Sequence, residues 1–158
     1  MSAADLFHLA KAGGRIIATA ESCTGGMVSA AITDIAGSSA IFDRGFVTYS
    51  NDAKMVQLGV RADTLQSHGA VSEAVAGEMA QGALANSAAN VAVSITGIAG
   101  PGGSDHKPEG RVCFGIATQN ECQTETVEFG ALGRANVRQS ATAHALKMLI
   151  AQITEGEP

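Results

Sequence analysis

The sequence has few aromatic residues, and its core must be built without them. It contains no Trp and one Tyr, and aromatic residues make up 4% of its 158 positions. Hydrophobic residues nevertheless make up 46% of the chain, so Ala, Val, Ile and Leu must supply most of the buried surface. Charged residues account for 16%. This composition is typical of a globular protein and excludes a disordered one.

Basic residues are also scarce. The chain has 10 Lys and Arg residues against 15 Asp and Glu residues, which gives a formal net charge of -5. Proteins that bind nucleic acid usually carry basic patches, so this balance argues against such a partner. The three cysteines show no CxxC spacing, and the N-terminal residues lack the apolar core of a signal peptide. No apolar run approaches the roughly 18 residues of a membrane span. We therefore expect a cytoplasmic protein without a membrane partner.

Helical and strand patterns alternate along the chain, without a linker or an internal repeat. The strand patterns are "RIIATA", "IFDRGFVTYS", "NVAVSIT", "RVCFGIAT" and "ECQTETVEFG". The last of these is expected to form a hairpin with the strand before it at the edge of the sheet. The interleaving predicts one domain over residues 1–158, a three-layer α/β/α sandwich whose mixed sheet has about five strands.

Apolar residues at helical spacing mark four helices. They are Leu6, Leu9 and Ala10 in the first helix, Val28, Ala31, Ile32 and Ile35 in the second, Val75, Met79 and Ala83 in a long central helix, and Leu146, Leu149, Ile150 and Ile153 in the last. Ser72 is the expected N-cap of the central helix, and Ser50 or Asn51 that of a further helix. The latter helix would carry Lys54 in its first turn.

The stretch "TAESCTGG" places three hydroxyl or thiol groups at the junction between the first strand and the second helix. A helix N-terminus offers unpaired N–H groups to a developing oxyanion, and Gly25 and Gly26 let a substrate carbonyl approach the backbone. The same pattern is typical of a plain helix cap, for which Thr24 is the expected residue. Cys23 is the stronger intrinsic nucleophile, but a cysteine enzyme normally pairs it with a base such as His. Ser22 is therefore the best candidate nucleophile.

A serine nucleophile needs a base, and Lys54 can serve as one only while its amine is neutral. A position in the first turn of a helix lowers the pKa of a lysine, and burial lowers it further. The alternative is an exposed lysine that neutralises Asp52 or Asp63. Tyr49 is placed either to orient Lys54, to stack on a flat substrate ring, or to fill the core.

A glycine-rich segment, "GIAGPGGSDHKPEG", separates the third and fourth strands. Its flexible backbone is suited to cradle a phosphate, although it matches neither the P-loop nor the GxGxxG pattern and is also typical of an ordinary surface loop. Arg134 and Arg138, at positions i and i+4 near the start of the last helix, are suited to clamp an anionic group or to form a solvated helix face. The four histidines show no metal-ligand spacing, so no metal or other cofactor is expected.

Taken together, these residues make the chain resemble the CinA C-terminal domain family over nearly its whole length. The matching blocks are "TAESCTGG", "ITDIAGSSAIFDRGFVTYSNDAK", "LGVRADTLQSHGAVSEAVAGEMA", "SITGIAGPGGS", "KPEGRV" and "RANVRQSATAHAL". The resemblance implies an α/β/α fold and hydrolysis of the carboxamide of a pyridine mononucleotide, nicotinamide mononucleotide, to a carboxylate and ammonia. It also implies a stand-alone domain without the larger N-terminal domain of many relatives, so no pyrophosphatase activity is expected. An Ala-rich surface helix favours a homodimer.

The resemblance also implies residue roles. Ser22 is the expected nucleophile and Lys54 its base, with Tyr49 and Thr24 as further catalytic residues. The implied substrate-binding residues are Glu21, Cys23, Gly25, Gly26, Thr96, Gly97, Gly100, Gly102, Gly103 and Arg138, the last as a phosphate or carboxamide contact.

The end of the glycine-rich segment departs from the family pattern. Glu109 stands where the family usually has a small apolar residue, and Arg111 where it usually has Thr. The change in charge leaves substrate contacts at this point undetermined. Together with the family's link to competence and DNA damage, it motivates an alternative, a nucleotide-binding or regulatory module whose hydrolytic site is idle.

Overall fold

The computed structural model describes residues 2–155. Met1, the first residue of the predicted first helix, and residues 156–158 of the predicted domain lie outside the described part. The helices are α1 (Ala3–Gly13), α2 (Met27–Thr33), α3 (Asn51–Leu58), α4 (Ala62–His68), α5 (Glu73–Ala85) and α6 (Arg134–Glu155). The strands are β1 (Ile17–Glu21), β2 (Phe42–Val47), β3 (Val91–Gly97), β4 (Arg111–Thr118) and β5 (Cys122–Glu128), and a single 3-10 turn covers Ser38–Ala40.

The five strands form one mixed sheet in the order β2-β1-β3-β4-β5. Strand β1 pairs in parallel with both β2 and β3, whereas β4 is antiparallel to β3 and to β5. The predicted α/β/α sandwich with a five-stranded mixed sheet is therefore confirmed, and so is the hairpin of the last two strands at one edge. The parallel half of the sheet brings the carboxyl ends of three strands to the same edge.

Large aliphatic side chains cover one face of the sheet. Side chains alternate between faces along a strand, and Ile17, Val93 and Phe114 share one face with the buried residues of α1, α2 and α6. Residues of α6 such as Val137 and Leu149 are fully buried in this cluster. The main hydrophobic core thus lies between the sheet and these three helices.

Small side chains cover the opposite face, on which α5 packs. Ala18, Ala20 and Ala92 contribute to this second cluster together with Val75 and Met79 of α5. Their small size lets the helix backbone approach the sheet closely. At Gly115 of β4, for example, an added Cβ would lie 2.5 Å from the carbonyl oxygen of Ala76. The abundance of Ala and Gly in the sequence therefore has a packing role on this face.

The structure also differs from the sequence-based expectations in detail. Helix α4 was not predicted, and none of its seven residues is buried, so it leaves no apolar stripe in the sequence. Leu9 was expected on the buried face of α1 but is 37% exposed, and Phe7 is buried in its place. Ile35 lies beyond the end of α2. Among residues 2–155, no helix is both long enough and apolar enough to cross a membrane.

Candidate active site

A cavity of about 360 Å³ opens where the three parallel strands end. Ser22 follows the last residue of β1, Tyr49 lies two residues beyond β2, and Gly97 ends β3, and all three residues line this cavity. Ligands of open α/β sheets bind outside the carboxyl ends of the strands, where neighbouring connections diverge. The topology alone therefore marks this edge as the expected binding region.

The cavity contains a direct contact between a hydroxyl and an amine. Lys54 Nζ donates a hydrogen bond to Ser22 Oγ at 3.2 Å and a longer one to the carbonyl oxygen of Tyr49 at 3.4 Å. Lys54 is 1% exposed and Ser22 is 7% exposed. The predicted cap of α3 is present, since Ser50 Oγ accepts from the amide of Ala53 at 3.0 Å. This cap starts the helix that carries Lys54 to the serine.

Burial lowers the pKa of Lys54 from its ordinary value of 10.5, and the neighbouring Cys23 opposes this only as the smaller effect. Within residues 2–155, no carboxylate forms an ion pair with Lys54. The alternative of an exposed lysine that neutralises Asp52 or Asp63 is therefore wrong; Asp63 pairs with Arg61 instead. The surroundings of the amine favour its neutral form.

The turn before α2 is capped by a carboxylate. Glu21 is fully buried and accepts hydrogen bonds from the amides of Gly26 (3.2 Å), Val28 (3.0 Å) and Ser29 (2.9 Å), as well as from the Ser29 hydroxyl (2.8 Å). The prediction that Thr24 caps this helix is wrong. The N-cap is Gly26 with φ of 110°, which has no side chain of its own to cap the helix, and Thr24 Oγ1 is buried without a hydrogen-bond partner in the described chain.

Cys23 and Tyr49, two other residues of the predicted site, also line the cavity but lie in different surroundings from Ser22. Cys23 lines the cavity beside Ser22, but burial raises the pKa of its thiol to about 11, so the thiolate form is scarce at neutral pH. Tyr49 is 61% exposed, which excludes its assignment to the core. Its hydroxyl accepts a hydrogen bond from Arg134 at 3.0 Å.

The glycine-rich loop forms one wall of the cavity and is fixed to its neighbours by charged side chains. Lys107 donates to the carbonyls of His68 (2.7 Å) and Val71 (2.5 Å), and Arg134 donates to the carbonyl of Gly100 (2.7 Å). The residue just before the loop is fixed in a similar way, because Thr96 Oγ1 donates to the carbonyl of Ala70 at 2.9 Å. These contacts connect the loop, the segment before α5 and the start of α6.

The second arginine of α6 lies outside the cavity wall. Arg138 was expected to contact substrate, but its guanidinium donates to the carbonyls of Cys23 (2.9 Å) and Thr24 (3.3 Å) and does not line the cavity. Its hydrogen bonds support the turn that carries Ser22. Arg134, one helical turn earlier, lines the cavity instead.

The structure thus brings together most of the predicted site. The predicted residues that line the cavity are Ser22, Cys23, Tyr49, Lys54, Thr96, Gly97, Gly100, Gly102 and Gly103. Those that do not are Glu21, Thr24, Gly25, Gly26 and Arg138. Asn51 and Lys107 were not predicted as site residues but also line it. Lys107 could have been predicted as a site residue, because it lies in the "KPEGRV" block that matches the family. The described residues contain no cluster of three or more His, Cys, Asp or Glu suited to hold a metal ion.

Comparison with known proteins agrees with this architecture. The sequence model of the CinA C-terminal domain matches residues 2–153, and the chain belongs to that family. It is 56% identical over 146 residues to the nicotinamide-nucleotide amidohydrolase PncC of Escherichia coli K12, which covers 92% of this chain and 88% of that protein.

Solved structures of the same family are also similar. The competence/damage inducible protein CihA from Agrobacterium tumefaciens aligns with a TM-score of 0.87 and 47% identity, over 96% of each chain. The competence damage-inducible protein A from Klebsiella pneumoniae aligns with a TM-score of 0.94 and 38% identity, over 98% of this chain and 96% of that one.

Proposed function

We propose that this chain is a nicotinamide-nucleotide amidohydrolase that uses Ser22 as nucleophile and Lys54 as base. Support for the reaction comes from its similarity to the Escherichia coli protein of that name over 92% of the chain. Support for the residues comes from one observation, the 3.2 Å contact between a buried lysine amine and a serine hydroxyl inside a cavity. A hydroxyl becomes a useful nucleophile when a neighbouring base accepts its proton.

The first step forms a tetrahedral intermediate, from which loss of ammonia later gives the acyl-enzyme. The neutral amine of Lys54 takes the proton of Ser22 Oγ while the oxygen attacks the carboxamide carbon of the substrate. The C–O bond forms, and the carbonyl π electrons move to the oxygen, which becomes an oxyanion. Because no carboxylate within residues 2–155 pairs with Lys54, its protonated form lacks the stabilisation that an ion pair would give.

Backbone amides of the turn are available to this oxyanion. The amides of Gly25 and Gly26 are occupied by the Ser22 carbonyl (3.0 Å) and by Glu21. The amide of Thr24 has no hydrogen-bond partner within residues 2–155, and that of Cys23 has only its own thiol, which is a weak acceptor. Amide donors aimed at the developing charge are typically worth about 10²–10³ in rate each. We assign this stabilisation first to the amide of Cys23, because Cys23 lines the cavity and Thr24 does not.

The remaining steps release the products. The protonated Lys54 gives its proton to the amide nitrogen, the C–N bond breaks, and ammonia leaves. A water molecule, deprotonated by the now neutral amine, attacks the acyl carbon. The ester bond to Ser22 breaks, the proton returns to Oγ, and the nucleotide leaves as a carboxylate.

Ammonia release from nicotinamide mononucleotide tests the proposal. We expect turnover by the protein, and a loss of about 10³-fold or more in kcat for Ser22→Ala, because no nucleophile remains at that position. Cys23→Ala is the matched control, since it removes the neighbouring thiol; it should retain most of the activity. Turnover retained by Ser22→Ala and lost in Cys23→Ala would overturn the assignment of the nucleophile.

The same assay separates the enzyme from the idle module. A protein that binds the mononucleotide but releases no ammonia would support the binding module and contradict the amidohydrolase. Circular dichroism of each variant shows whether a loss of activity reflects a loss of fold.

A further inference from the structure

The cavity is positively charged, although the protein as a whole is negative. The net charge of the chain is -5, yet the cavity wall carries Lys54, Lys107 and Arg134. Asp105 supplies the only carboxylate among the described residues of the wall. Since Lys54 is buried against Ser22, the cations nearer the opening of the cavity are Lys107 and Arg134.

Among the described residues, neither of these two cations has an anionic partner. The ion pairs within residues 2–155 use other basic side chains, and Lys107 and Arg134 take part in none of them. Their hydrogen bonds go to neutral oxygens: two carbonyls for Lys107, and one carbonyl and the Tyr49 hydroxyl for Arg134. An ammonium has three N–H donors and a guanidinium five, so both retain donors for a ligand.

Several backbone N–H groups of the glycine-rich loop already donate hydrogen bonds within the protein, so they are not free to bind an anion. The amide of Gly102 donates to Glu109 at 2.7 Å, that of Ser104 to the carbonyl of Lys107 at 3.0 Å, and that of Ile98 to the carbonyl of Arg111 at 2.9 Å. Glu109 approaches the loop from outside the cavity wall and also accepts from Gly133 at 3.3 Å. The side chains at the rim, rather than the loop amides, therefore supply the main attraction for an anion.

We infer that Lys107 and Arg134 form a subsite for the phosphate monoester of the substrate and make the site selective for a mononucleotide over the corresponding riboside. The inference rests on the proposed function, because it places the carboxamide at Ser22 and the phosphate at the opposite end of the ligand. Arg134 is exposed whereas Ser22 is buried, so the two ends of the ligand would lie at the rim and the floor. This assignment replaces Arg138, whose guanidinium is bonded to the turn.

Binding to an inert protein tests the subsite without depending on turnover. In the Ser22→Ala background, dissociation constants for nicotinamide mononucleotide and nicotinamide riboside are measured by calorimetry. We expect the mononucleotide to bind about 10- to 100-fold more tightly, the range for hydrogen bonds to charged groups. Adding Lys107→Met or Arg134→Gln should each weaken the mononucleotide about 10-fold and the riboside much less.

Lys147→Met is the matched control, because it removes one exposed lysine that does not line the cavity. It should preserve the ratio of the two dissociation constants, and Lys107→Arg should preserve most of it because the charge remains. A ratio unchanged by both Lys107→Met and Arg134→Gln would overturn the subsite. Equal weakening of both ligands would also overturn it, since it would show that the two residues only hold the walls.

The outcome is separable from that of the proposed function. Ammonia release by the unsubstituted protein tests the reaction, whereas the ratio of dissociation constants tests the subsite. The expected ratio of dissociation constants without release of ammonia would contradict the proposed function and support the phosphate subsite. Release of ammonia without a preference for the mononucleotide would support the proposed function and overturn the phosphate subsite.

Discussion

At the scale of single residues, the candidate site contains a lysine whose burial lowers the stability of the folded protein. Lys54 is 1% exposed and has no carboxylate partner within residues 2–155. Burial of a charged amine is unfavourable unless it is paired, so the amine tends to lose its proton. The same arrangement that weakens the folded state would supply the base that we propose for Ser22.

Replacement of Lys54 by Met should therefore stabilise the protein while it abolishes activity. Because the pKa of Lys54 is lower in the folded state than the ordinary 10.5, the unfolded chain binds more protons between these two pKa values, and stability rises with pH there. Thermal unfolding of Lys54→Met should show a gain of a few degrees at neutral pH that shrinks toward pH 10.5. A loss of stability at neutral pH would contradict this view.

Glu21 should be more important for the shape of the turn than for the chemistry. Its carboxylate accepts three amide hydrogen bonds and one from a hydroxyl. Glu21→Ala leaves these donors unpaired and should lower the free energy of unfolding by about 2–4 kcal/mol in urea titrations. Ser29→Ala, which removes one of the four donors, should cost about 1 kcal/mol. Equal effects of the two substitutions would contradict the capping role.

The sequence predicted the residues that meet in the cavity but not the contacts that hold them there. Ser72 and Ser50 were predicted as caps because a cap bonds to an amide a few residues away. The contact of Ser22 with Lys54 spans 32 positions, so the residues alone left the base open and the family resemblance supplied it. Arg134 and Arg138 are one turn apart, and only the packing of α6 decides which of them reaches the cavity.

At the scale of elements, the approach of α5 to its neighbours depends on glycine. An added Cβ at Gly82 would overlap the carbonyl oxygen of Leu58, at the end of α3. At Gly77 in the same helix, the nearest atom would be Thr124 Cγ2 at 3.3 Å, which is a side-chain atom. Helix α4, in contrast, buries no residue, so no periodic pattern could have predicted it.

These two glycines provide a matched pair of substitutions. Both changes to Ala gain the same helix propensity of about 0.5–1 kcal/mol. Gly82→Ala also forces the helix away from Leu58 and should destabilise the protein by about 1–3 kcal/mol in urea unfolding. Gly77→Ala should stay within about 1 kcal/mol of the unsubstituted protein. A Gly82→Ala variant that is more stable than Gly77→Ala would contradict the close packing of α5 against Leu58.

At the scale of the whole molecule, two electrostatic effects on an anionic substrate oppose each other. The net charge of -5 repels it, whereas Lys107 and Arg134 attract it inside the cavity. The Debye length is about 10 Å at 0.1 M salt, so dispersed surface charges are screened first and contacts within a few Å dominate. The α/β/α architecture, in which three strands end at the same edge of the sheet, was predictable from the sequence. The positive charge of the cavity wall was not, because it depends on which side chains the folded loop turns toward the cavity.

Salt should therefore weaken substrate binding. The KM for nicotinamide mononucleotide should rise several-fold between about 0.05 and 0.5 M salt, with little change in kcat, because screening weakens the contacts at the rim. Steady-state kinetics at a series of salt concentrations measure this. A fall in KM with salt would show that repulsion by the net charge dominates.

The pH dependence of kcat/KM for ammonia release tests the central claim, that a neutral Lys54 activates Ser22, most directly. The measurement runs upward from about pH 7, where the phosphate of the substrate is already ionised, and kcat/KM reports ionisations of the free enzyme. The account predicts a rate that rises with pH through one ionisation below 10.5, the ordinary pKa of lysine. A rate that falls as pH increases from 7, or that rises only through an ionisation at or above 10.5, would contradict it.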